Sequence, residues 1–74
     1  MVEVFRTNVK DQDHAVILLD HIHQTFRGYH ANFDLEDCDN ILRVASNQEF
    51  IRATCLIKLL SEFGYEAEIL PDDF

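Results

Sequence analysis

An α+β fold with the element order β-α-β-β-α-β is predicted by three observations along these 74 residues. Apolar residues recur at helical spacing in two stretches, Ala15 to Phe26 and Ala53 to Phe63, and alternate with polar residues in the stretches around them. Each helical stretch runs out close to a glycine, Gly28 and Gly64, the residue best able to leave a helix through a left-handed conformation. A hydrophobic content of 47% with two glycines and one proline is the composition of a folded chain rather than a disordered one. A domain of this size buries only about 60% of the surface its unfolded chain exposes, so a single core is the most it can build.

The first element, Val2 to Val9, mixes β-branched and aromatic residues with polar ones and reads as a strand. Val2 and Val4 share one parity while Phe5, Thr7 and Val9 share the other, which predicts a bulge or twist near Arg6. Lys10-Asp11-Gln12-Asp13 then supplies side chains suited to the free N–H groups of a helix start. The helix is expected from Gln12 or Asp13 to Phe26, with Ala15, Leu18, Leu19, Ile22 and Phe26 as its core stripe. Asp20, His21 and Gln24 turn to water, and Arg27-Gly28 closes the element.

Tyr29 to Leu35 alternates with period two, the pattern of a strand with one buried face. Glu36 to Asn40 is too polar to continue it and is expected to be a hairpin loop leading into a strand from Ile41 to Ala45. Ser46-Asn47-Gln48-Glu49 has the spacing of a capping box, which predicts a second helix from about Asn47 to Phe63. Ala53, Leu56, Leu60 and Phe63 form its stripe, flanked by Ile57 and Leu59, and Gly64 ends it. Tyr65 to Leu70 alternates again as a last strand, before an acidic tail, Pro71 to Phe74.

Right-handed β-α-β crossovers put both helices on one face of a four-stranded antiparallel sheet. This is the ferredoxin-like sandwich, and residues 1–74 are expected to form one such domain. The helix-free face is expected to carry His30, Asn32, Asp34, Ile41, Arg43, Ala45, Glu66 and Glu68, a mostly polar set that water can cover.

Six Lys and Arg against 14 Asp and Glu give a net charge of −8, which repels nucleic acid and anionic membranes. The opening residues, Met1 to Arg6, do not form a secretory signal, and the apolar run Ala15 to Leu19 is far shorter than the ~20 residues that span a bilayer. A soluble, cytoplasmic protein without membrane insertion is expected. Cys38 and Cys55 form neither a CxxC motif nor a zinc framework and read as reduced thiols. Cys38 is placed exposed in the hairpin and Cys55 as a partly buried filler of the second helix. No nucleophile motif or Gly-rich phosphate loop occurs, so the chain is not expected to be an enzyme.

Ala31-Asn32-Phe33-Asp34-Leu35-Glu36, together with Leu56, Leu60 and Phe63-Gly64-Tyr65, resembles the middle strand and closing helix-turn of the heavy-metal-associated (HMA) domain. That family comprises small copper-chaperone-like modules, also found at the N-termini of metal-pumping ATPases. The likeness spans nearly the whole chain and implies the ferredoxin-like fold. Laying Ala15, Leu18 and Ile22 on the family's first-helix stripe puts Val9 at the position of its buried methionine. The same alignment puts Asp11 and His14 at the positions of its two metal-binding cysteines.

Two thiolates on an exposed loop hold Cu(I) because the ion is soft and accepts two-sulfur coordination. An Asp and a His offer a hard oxygen and a borderline nitrogen, which suit a divalent ion such as Zn, Ni or Cu only if further ligands join them. His21 lies about 10 Å, two helical turns, from His14, too far to share an ion. Cys38 is expected at the opposite end of the sheet from His14. The acidic hairpin Asp34, Glu36, Asp37 and Asp39 lacks the loop that an EF-hand needs, and reads as a solvated turn.

Asp11 and His14 therefore admit two readings. In one they only start a helix, no cofactor is present, and the domain is a non-catalytic interaction or accessory module for a protein partner, monomeric or weakly dimeric. In the other they bind and handle a divalent metal, alone or together with a partner's residues. A regulatory ligand-binding domain of the amino-acid-sensing type is a third class, disfavoured because the loop Asn8-Val9-Lys10-Asp11 has no glycine.

Overall fold

The computed structural model describes residues 1–36, 38–47 and 50–70. Its elements are β1 (Val2–Thr7), α1 (Gln12–Thr25), β2 (Tyr29–Asp34), β3 (Ile41–Ser46), α2 (Ala53–Glu62) and β4 (Ala67–Ile69). The strands form one antiparallel sheet in the order β2-β3-β1-β4, with two helices, which is the α+β ferredoxin-like arrangement.

Register runs unbroken along β1, from Val2 opposite Ala45 to Arg6 opposite Ile41, so the expected bulge is absent. The conflict of parity is resolved by size. Phe5 offers more apolar area than a valine, and it takes the helix-covered face with Thr7 and, beyond the strand, Val9. Val2 and Val4 turn to the open face, where Val2 is 56% exposed. That face also carries exposed His30, Asn32, Asp34, Arg43 and Glu68, as the alternation predicts. Ile41 departs from the expectation: it is buried, although it lies outside the main core cluster.

α1 begins on Asp11, whose Oδ1 accepts the Asp13 N–H at 2.8 Å. Ala15, Leu18 and Ile22 are buried, with Leu19 and Phe26 packed beside them. Phe26 caps the helix through its N–H to the Ile22 carbonyl, and the Tyr29 N–H returns to the Phe26 carbonyl at 3.0 Å, so the chain turns directly into β2. The ring of Phe26 stacks on that of Tyr29, centroids 4.9 Å apart.

α2 is shorter than the spacing of its capping box predicts. Ser46 stays in β3, opposite Tyr29, with its N–H held by the Met1 carbonyl at 2.8 Å, and the helix begins only at Ala53. Glu49, the other half of the box, lies outside the described residues. Ile51 is drawn into the core just ahead of the helix, and Arg52 takes the N-cap position without a side-chain cap. Its N–H donates to the Tyr29 hydroxyl at 2.8 Å, which ties the helix entry to β2.

The helix ends in a Schellman motif: Gly64 adopts φ 86°, its N–H donates to the Ser61 carbonyl, and the Tyr65 N–H donates to the Leu60 carbonyl. Phe63, expected in the core, is 43% exposed, because Leu56 and Leu60 carry the packing and Phe63 falls at the C-cap. Cys55 is exposed rather than a core filler, since it sits about 100° round the helix from the buried Leu56. Tyr65 and Glu66 serve the turn, which reduces the last strand to Ala67–Ile69.

Candidate functional site

Each β-α-β crossover returns the chain to the end from which the previous strand began, so β1 and β2 run in the same direction, both antiparallel to β3. The β2-β3 hairpin therefore lies at the same end as the β1-α1 loop, and the placement of Cys38 at the opposite end is overturned. Backbone bonds record the proximity directly: the Thr7 N–H donates to the Asp39 carbonyl at 3.2 Å. The α2-β4 turn joins them there, through the Asn8 N–H to the Glu66 carbonyl at 3.3 Å and the Glu66 N–H to Asn8 Oδ1 at 2.8 Å.

At the centre of these loops is Thr7, buried at 7% exposure. Its hydroxyl donates to the Asn40 carbonyl at 2.6 Å and accepts the Val9 N–H at 3.2 Å. Asn40 sits at φ 49°, in the left-handed region that asparagine tolerates better than most residues. Val9, at the position where the resemblance puts a buried methionine, is fully buried and anchors the loop from below.

Asp11 and His14 both lie on this loop end, and both have partners within the fold. Asp11 Oδ1 is engaged as the α1 cap, and His14 Nδ1 is in contact with the Tyr65 hydroxyl. The His14 and Tyr65 rings are tilted at 58° with centroids 5.9 Å apart. Among the described residues, no group of three or more His, Cys, Asp or Glu side chains is placed to hold a metal ion. Asp11 and His14 are two donors, one of them a helix cap, and two donors do not by themselves close the coordination sphere of a divalent ion.

Tyr65 is the residue that reasoning from sequence missed. Its position after Phe63-Gly64 was legible as a helix exit, but its contact with His14 spans 51 residues and has no local signal. Tyr65 lines two hollows. One, of about 570 Å³, lies along Arg6, Asn8, Ile57, Ser61 and Glu66. Arg6 is ion-paired with Glu68 there, both half exposed. The other, of about 210 Å³, lies between α1 and the turn that leaves α2 and is lined by His14, Ile17, Leu18, Phe63 and Tyr65.

Fold and loop end together define a small α+β domain of ferredoxin-like architecture. No family model matches the chain, and neither a curated protein nor a solved structure matches it significantly. Among the described residues, no helix is long and apolar enough to cross a membrane.

Proposed function

We propose that this domain is a non-catalytic, HMA-like module of the cytoplasm that has given up soft-metal binding and works through a protein partner. The observation that carries the reading is the double engagement at the loop end. Asp11 closes the first turn of α1 and His14 meets Tyr65, so both residues at the metal positions serve the fold. Beside them Ile17 and Phe63 stand exposed around a hollow, which is surface available to another chain. A charge of −8 makes nucleic acid and anionic membranes poor candidates and leaves protein as the matching class.

The test is a Cu(I) competition against a tight chelator, with the purified, reduced protein. Retention of the ion by the chelator at every protein concentration is the expected result. Transfer of Cu(I) to the protein with chaperone-like tightness would overturn the reading.

A further inference from the structure

The hollow between α1 and the exit of α2 has a size and a charge environment that specify its occupant more closely. At about 210 Å³ it is smaller than the ~300–1,000 Å³ cavities that enclose small molecules. A space of that size is on the scale of one large side chain. Its exposed walls are Ile17, 50% exposed, and Phe63, 43% exposed, the latter with its ring 4.6 Å from that of His21. Helical spacing surrounds Ile17 with Asp13 and His14 one turn before and Asp20 and His21 one turn after.

α1 contains no Lys or Arg, and its two carboxylates are Asp13 and Asp20. On the other wall Glu62 precedes Phe63 in the chain, while Glu66 lines the neighbouring hollow. The α1 border of this apolar hollow is the anionic one, through Asp13 and Asp20. A second copy of the domain brings another −8 of charge and is repelled, and the chain's own tail, Pro71 to Phe74, carries Asp72 and Asp73 and has the wrong sign as well. What complements the border is a cationic polypeptide.

We infer that the hollow lined by His14, Ile17, Leu18, Phe63 and Tyr65 receives a single aliphatic or aromatic side chain from a basic partner segment. Lys or Arg residues flanking that anchor pair with Asp13 and Asp20. The inference rests on the interaction-module reading above and adds the place and chemistry of the contact. The anchor supplies the buried apolar area, and the carboxylates steer the approach and fix the register.

The experiment is an NMR titration of the ¹⁵N-labelled domain with three synthetic peptides: a leucine flanked by lysines, the same leucine flanked by glutamates, and an alanine flanked by lysines. Only the first is expected to shift His14, Ile17, Phe63 and Tyr65 together. Ile17→Ser and Phe63→Ser, both at exposed positions, should abolish the shifts while leaving the rest of the spectrum dispersed. The pair Asp13→Asn and Asp20→Asn should weaken binding roughly fivefold at low salt. Shifts spread over all acidic residues for both lysine peptides, binding unaffected by Ile17→Ser, or no binding at all would overturn the assignment. Binding on the open sheet face would also overturn it while leaving an interaction module standing, whereas Cu(I) capture in the competition above would remove the reading beneath it.

Discussion

The Thr7 hydroxyl donates to the Asn40 carbonyl at 2.6 Å, and this contact joins the end of β1 to the return limb of the β2-β3 hairpin. Because the same oxygen accepts the Val9 N–H, one buried side chain holds two of the three loops at the candidate site. Thr7→Val keeps the shape and removes the hydroxyl, leaving a buried donor and an acceptor without their partner. A loss of about 1–3 kcal/mol in urea unfolding is expected, with Thr7→Ser closer to the parent. Equal stability of the valine variant would contradict this role.

His23 Nε2 accepts the N–H of Ala31 at 3.1 Å, so a helix side chain covers part of the outer edge of β2. The Ala31 amide is therefore shielded by a side chain rather than by a neighbouring strand. His23→Ala should lower the hydrogen-exchange protection factor of that amide while leaving the β2-β3 amides protected. Unchanged protection of Ala31 in the variant would rule the contact out as a determinant.

Asp11 acts as the N-cap of α1. Asp11→Ala is expected to cost about 0.5–2 kcal/mol in thermal or denaturant unfolding, and Asp11→Asn much less, because asparagine caps about as well as aspartate. Identical losses for the two variants would point to a role for the charge and away from capping.

Cys38 and Cys55 are both exposed. A disulfide reagent such as Ellman's should titrate both thiols in the native protein without denaturant, and Cys55→Ser should leave stability within about 0.5 kcal/mol of the parent. Slow, unfolding-limited reaction of either thiol would contradict its placement.

Much of the fold was legible because its signals are local. The stripe Ala15, Leu18 and Ile22 repeats at helical spacing, and Tyr29 to Phe33 alternates, so the type and order of the elements follow from periodicity alone. Boundaries were less legible where a local motif competed with a distant partner. Ser46 has the spacing of a capping residue, yet pairing with Tyr29 across the sheet and the bond from its N–H to Met1 keep it in β3. Phe63 fits the α2 stripe by spacing, but the Schellman turn at Gly64 ends the helix first. The side on which the hairpin falls was misread through strand direction: a crossover helix brings β2 back parallel to β1, and the loops containing Asp11, Asp39 and Glu66 therefore converge. The pairing of His14 with Tyr65 could not be read from the sequence, because it depends on that convergence.

On the proposed reading, Asp11 and His14 serve the fold and a protein contact rather than a metal. The most direct measurement is a ¹⁵N NMR titration of the reduced domain with Zn(II), Ni(II) and Cu(II) in turn, followed at Asp11 to Ala15 and at Tyr65. No saturable, selective shift or broadening is expected at those residues below millimolar metal. A stoichiometric change centred on Asp11 and His14 and abolished by His14→Gln would contradict that expectation and establish the divalent-metal reading instead.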